Sequence, residues 1–184
     1  MKHLILLTIL VTSQLRASTI THTHYWTKPI SQTGWSTNVS LPQFNPSLGY
    51  LINVTVSIHT TNLITIQSYD LNGQATITVG NTLNMTAPGI NYSNPNQVTA
   101  SNDYVSEGFT DEFYPDESLY IGCSSVPFNI STSGYSLGNA SGNWSGQQGN
   151  YLGATLCIRY CYEPRCDKRW GRNLRGDHHE GKDE

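Results

Sequence analysis

Four cysteines, Cys123, Cys157, Cys161 and Cys166, carry much of the reactive chemistry of this 184-residue chain. Three of them fall in "ATLCIRYCYEPRC", where Leu156, Ile158, Tyr160 and Tyr162 alternate with Cys157, Arg159 and Cys161. A strand sends successive side chains to opposite faces, so the apolar set points one way and Cys157 and Cys161 the other. Four residues of strand separate those two by about 13 Å, beyond the roughly 7 Å Cα limit for a disulfide. Two pairings remain. Either Cys123 joins Cys157 while the turn at Glu163 and Pro164 closes Cys161 onto Cys166, or Cys123 joins Cys161 and Cys157 joins Cys166. The C-x3-C-x4-C spacing would also suit zinc, but in an exported chain a disulfide framework is the expected use.

A second group is acidic. "SNDYVSEGFTDEFYPDES" gathers Asp103, Glu107, Asp111, Glu112, Asp116 and Glu117, and clustered carboxylates such as Asp111, Glu112 and Asp116 are what Ca²⁺ requires. The spacing matches no EF-hand, so an acidic surface loop is expected and no cofactor. Paired carboxylates also serve glycoside hydrolysis, but that chemistry depends on their separation in space. His22 and His24 in "THTHYW" share one face of an extended segment, two potential metal ligands without an obvious third. The tail offers "DHHE" (Asp177 to Glu180) and the adhesion-like tripeptide "RGD" (Arg175 to Asp177), for which a flexible charged tail is the simpler reading. The sequence has no nucleophile elbow, P-loop or zinc-protease motif, and no enzyme is expected.

A third group is made of N-x-[ST] sequons at Asn38, Asn53, Asn84, Asn91, Asn129, Asn139 and Asn143, whereas Asn45 is excluded by Pro46. They predict dense N-glycosylation wherever the secretory pathway supplies it.

Strands must position all of these. Ile52, Val54, Val56 and Ile58 alternate with polar residues in "YLINVTVSIHT", as do Trp35, Thr37, Val39 and Leu41, then Ala75, Ile77 and Val79, then Val126, Phe128 and Ile130. Period-two alternation broken by "LNG", "APG" and "NPN" predicts a single antiparallel β-sandwich, jelly-roll-like and all-β. Asn38, Asn53, Asn84 and Asn129 fall on the polar faces of such strands, where glycans leave the core undisturbed. Lys2, the apolar run Leu4 to Val11 and small residues around Ala17 make residues 1–17 a signal peptide, and the mature protein is expected to be secreted from Ser18. Residues 18–29 then form an extended N-terminal strand, 30–164 the sandwich and 165–184 a charged tail. Only 12% of residues are charged and the net charge is -3, which gives no electrostatic footprint for nucleic acid.

The block "TGWSTNVSLPQFNPSLG" (Thr33 to Gly49) with the Val-rich strand after it, and the closing "GATLCIRYCYEP" (Gly153 to Pro164), resemble the choice-of-anchor E domain family of secreted, mostly bacterial surface proteins, over roughly residues 20–164. The resemblance implies a secreted β-sandwich normally tethered by one of several interchangeable C-terminal sorting signals, and brings no catalytic residues. This chain departs from that pattern in "RCDKRWGRNLRGDHHEGKDE", which has no hydrophobic anchor or recognisable sorting motif, so release or non-covalent assembly is implied instead.

Two functions follow as expectations. Ser18 to Pro29, alternating and extended, either completes its own sheet or adds to an open edge of the next copy, giving a head-to-tail homopolymer, a fibre or layer coated by outward N-linked glycans. The alternative is a carbohydrate-binding module or adhesin using Trp26, Trp35, Tyr92 or Trp144. Trp35 is better placed in the core by its alternation with Val39 and Leu41.

Overall fold

A computed structural model describes residues 18–68, 74–100, 104–141 and 146–165. Eight strands follow one another: β1 (Ile20–Gln32), β2 (Ser36–Pro42), β3 (Gly49–Ser68), β4 (Gln74–Ala87), β5 (Ile90–Ala100), β6 (Tyr104–Phe113), β7 (Ser125–Ser141) and β8 (Gly146–Pro164). A 3₁₀ turn, Glu117–Tyr120, precedes β7 and is capped by the Asp116 carboxylate, which accepts from the Ser118 amide. The strands form two antiparallel four-stranded sheets, ordered β1-β8-β3-β6 and β2-β7-β4-β5.

Every connection but β4–β5 passes from one sheet to the other, so pairs 4·5, 3·6, 2·7 and 1·8 nest as one long hairpin rolled into a sandwich. This is the jelly roll. The innermost turn is Pro88–Gly89, with Gly89 at φ 72°, where the positive φ required after proline in a type II turn favours glycine.

The alternation read in the sequence holds where strands are regular. Val39 and Leu41, Val54, Val56 and Ile58, Val79, Val126, Phe128 and Ile130, and Leu156, Ile158, Tyr160 and Tyr162 are buried together between the sheets, while the side chains of Ala75 and Ile77 lie outside the described residues. One member of the expected set is wrong. Ile52 is 46% exposed, because the register of β3 on β8 skips it: Leu51 pairs with Tyr162 and Asn53 with Cys161. The extra residue is a bulge, which resets the facing of everything before it, so Leu51 packs on the core in place of Ile52.

β1 lies at the edge of the first sheet. Its partner is β8 of the same chain, with pairs running from Ile20↔Tyr162 to Gln32↔Tyr151 and a shift between Lys28 and Ser31. Trp26 packs on the core, and His22 and His24 turn inward to meet Tyr162 and Tyr160 edge-on at ring separations of 5.5 and 6.2 Å. His24 is half-buried there, whereas His22 stays exposed near the start of the strand. Residues 1–17 and 166–184, with the expected signal peptide and nearly all of the charged tail, lie outside the described residues.

Candidate functional site

The outer faces of the two sheets carry different chemistry. On β1-β8-β3-β6, Cys157 stands between Tyr25 of β1 and Ser57 of β3, and Cys161 between Thr21 and Asn53. Both thiols are half-buried on the face away from the second sheet, as their alternation required. Cys123 is exposed in the segment between the 3₁₀ turn and β7, where Gly122 and Ser124 bond to the chain around Gln43 and Phe44 just beyond β2. Among the described residues no disulfide joins Cys123, Cys157 and Cys161. Cys123 lies just before β7 of the opposite sheet, and no bridge from it to Cys157 or Cys161 is formed. Cys166 lies outside the described residues.

On the other sheet the sequons converge. Cα pairing runs Asn38↔Asn129, Asn129↔Thr86 and Thr86↔Asn91, a straight row across β2, β7, β4 and β5. Asn84 sits beside it, opposite Ser131 and Ser93. The flanking Val39, Leu83, Met85, Phe128, Ile130 and Ile90 are buried, so these four asparagines face out, and Asn38, Asn91 and Asn129 are exposed. Asn129 Nδ2 donates to Oγ1 of Thr86, the hydroxyl of the Asn84 sequon, at 3.4 Å. Sequence parity placed Asn38, Asn84 and Asn129; their meeting with Asn91 in one row is a product of register. Asn53 is alone on the opposite sheet, Asn143 lies outside the described residues, and so does the side chain of Asn139 in β7.

The acidic cluster comes apart. Asp111 faces the space between β6 and β5, where Tyr92 Oη donates to its Oδ2 and Asn94 Nδ2 does so at 3.3 Å. Burial, and then the hydrogen bond to Asp111, push the Tyr92 phenol up to about 12. Glu112 turns to the outer face and accepts from Tyr114 Oη at 2.9 Å, which raises the Tyr114 pKa. Asp116 is held below the usual carboxylate range by the Ser118 hydrogen bonds that cap the 3₁₀ turn. The three Ca²⁺ candidates thus point to three places, and among the described residues no group of three His, Cys, Asp or Glu side chains could hold a metal ion.

The expected sugar-binding rings are mostly structural. Trp26, Trp35 and Tyr92 pack against the core, and Trp35 Nε1 donates to the Leu152 carbonyl at 3.2 Å. Trp144 lies outside the described residues. Sequence reading missed Tyr135, 49% exposed, whose ring crosses Gly80 to reach Gln97 Oε1 at 3.3 Å. A Cβ at Gly80 would collide with that ring. The signal was a glycine inside a strand, which marks a close approach.

The four sheet edges also differ. β6 carries Glu107, Gly108, Asp111 and Glu112; β5 carries Pro95; β2 is seven residues ending in Pro42. β1 is protected by Lys28, Pro29 and its register shift only in its second half. From Ile20 to Thr27 it has neither charge nor proline, and such an edge is open to pairing. Among the described residues no helix is long and apolar enough to cross a membrane.

The class defined by these sheets is a jelly-roll sandwich. No family model and no curated protein matches the chain. Among solved structures it is similar to a chain of the T13 IBDV viral particle, at 9% identity and a TM-score of 0.27 over 84% of this chain and 42% of that one. It is similar also to chains of infectious bursal disease virus strains Gx (13% identity, TM-score 0.24, 80% and 37%) and Gt (10%, 0.22, 85% and 42%). The chain spans about two-fifths of the length of the viral chains it matches, and a likeness this slight transfers no function to it.

Proposed function

We propose that this chain is a secreted structural protein of the cell exterior that joins copies of itself through β1, as a fibre or layer with N-linked glycans on its β2-β7-β4-β5 flank. The observation that carries the reading is that β1 is an edge strand hydrogen-bonded to β8 alone, with neither charge nor proline from Ile20 to Thr27, so a single ladder ties that segment into its sheet. β1 is also the first strand, so moving it onto β8 of a neighbour replaces every in-chain pair by an identical one. Passed head to tail, that exchange does not close and yields filaments. The row of Asn38, Asn129, Asn84 and Asn91 supports the reading by putting sugars on the flank opposite the cysteine-bearing face, where they prevent lateral clumping. Resemblance to the choice-of-anchor E family is consistent with this exterior role.

Electron microscopy and native mass of the mature protein test it. Thr27 and Thr155 face each other with hydroxyl oxygens 3.4 Å apart, so Thr27→Cys with Thr155→Cys fastens β1 into its own sheet. The stapled protein should stay monomeric and regain filaments on reduction. Filaments that persist while stapled sink the exchange, and a wild-type protein that stays monomeric sinks the whole reading.

A further inference from the structure

Where β8 of one sheet faces β4 and β7 of the other, beside the β1–β2 turn, lies a cleft of about 290 Å³. Its side chains include Gln32, Thr33, Ser136, Gln148 and Asn150 over a wall formed by Val79, and none of its lining residues is charged. Gly134 keeps its floor polar, because a Cβ there would collide with Thr33 Oγ1 and Asn150 Nδ2. The strands supply donors and acceptors in fixed places: Asn150 Nδ2 donates to the Gly80 carbonyl at 3.1 Å, and Gln148 Nε2 donates to Ser136 Oγ.

Behind this wall the hydrogen bonding is incomplete. Asn81 is 2% exposed, and its amide donates to Asn62 Oδ1 at 2.8 Å and to Asn150 Oδ1 at 3.2 Å. Two acceptors fix that amide's orientation and leave Asn81 Oδ1 without a donor. Among the described residues only two other buried side-chain polar atoms lack partners, Ser31 Oγ and Thr60 Oγ1. Ser31 precedes Gln32 of the cleft, and Thr60 lies two residues from Asn62 on β3. Asn81 is bonded to Asn150 of the cleft, so its unpaired oxygen lies one side chain behind the wall, whereas Ser31 and Thr60 stand outside the lining.

We propose that this cleft binds a neutral, polyhydroxylated ligand the size of one pyranose ring. Hydroxyls both donate and accept, which suits carbonyl, amide and hydroxyl groups standing side by side. A charged ligand would be buried against a lining that offers no counter-charge. The volume stands at the low end of the roughly 300–1,000 Å³ usual for ligand sites, room for one ring and not a chain. The site uses none of the aromatic residues the sequence suggested, and from β1 it takes Gln32 alone, outside the segment Ile20 to Thr27.

The test is a titration of isotope-labelled, unglycosylated full chain with glucose, galactose, mannose, N-acetylglucosamine and, as the charged control, sialic acid. At least one neutral sugar should shift the side-chain amide resonances of Gln32, Gln148 and Asn150 with a millimolar Kd, sialic acid binding at least about tenfold more weakly. Gln148→Ala should weaken binding about tenfold, and Ser136→Trp, which fills the cleft from the mouth, should abolish it, with Tyr25→Lys unchanged. The proposal is overturned if no neutral sugar moves those amides, if the shifts survive Ser136→Trp, or if sialic acid binds equally well.

Discussion

Replacing Tyr160 by phenylalanine probes how the two sheets are held. Tyr160 is 1% exposed on β8, and its hydroxyl crosses the sandwich to donate to the Pro42 carbonyl at the end of β2, at 2.8 Å. Phenylalanine keeps the ring, with its contacts to Phe44 and His24, so no cavity forms. The loss is a part-buried hydrogen bond, which costs about 0.5–1.5 kcal/mol. For a domain of this size a loss of about 1.5 kcal/mol lowers Tm by roughly 3–6 °C. Calorimetry of the mature protein measures it, with Tyr25→Phe as control, since Tyr25 is 67% exposed and its change should stay within about 0.5 kcal/mol. If Tyr160→Phe shifts Tm no more than the control, the hydroxyl does not join the sheets and the reasoning fails.

Other outcomes follow from the same geometry. Burial raises Tyr120 to about 12 and Tyr160 further, and Tyr92 reaches about 12 through burial and its bond to Asp111. The fold therefore favours the neutral phenols: their contribution is complete below the ordinary phenol value near 10 and is lost as pH rises through 12, so absorbance titration should show ionisation late and together with unfolding. Ile52→Lys should cost under about 0.5 kcal/mol while Val54→Lys prevents folding; equal tolerance in denaturant melts would remove the bulge. In protein expressed through a glycosylating secretory pathway, Thr86→Ala should remove one glycan by intact mass while leaving the stability nearly unchanged, and a mass lowered only by the substitution itself would show that Asn84 is bare. Cys123, being exposed, should react with an aromatic disulfide reagent in the folded state before Cys157 and Cys161; a Cys123 that reacts only after reduction would show a bridge.

Much of the sandwich was legible because period two is a local property. Val39 and Leu41, Val126 to Ile130, and Leu156 to Tyr162 each declare two faces within a few residues, and hydrophobic burial obliges one face inward, which also sets Cys157, Cys161, Asn38 and Asn129 outward. The acidic cluster misled for the complementary reason. Proximity in sequence says nothing of direction, and one strand sends Asp111 inward and Glu112 outward, while Asp116 caps a turn.

What the sequence determined by itself, then, was the strand content, the facing of regular strands and the chemistry available on each. The tertiary structure alone decided which strands are neighbours. The pairing of β1 with β8, the single inserted residue at Ile52 and the row Asn38, Asn129, Thr86 and Asn91 all depend on register between segments far apart in the chain. So does the cleft, whose wall draws on β1, β4, β7 and β8. Register is set by the sum of contacts across both sheets, and no local pattern contains that sum.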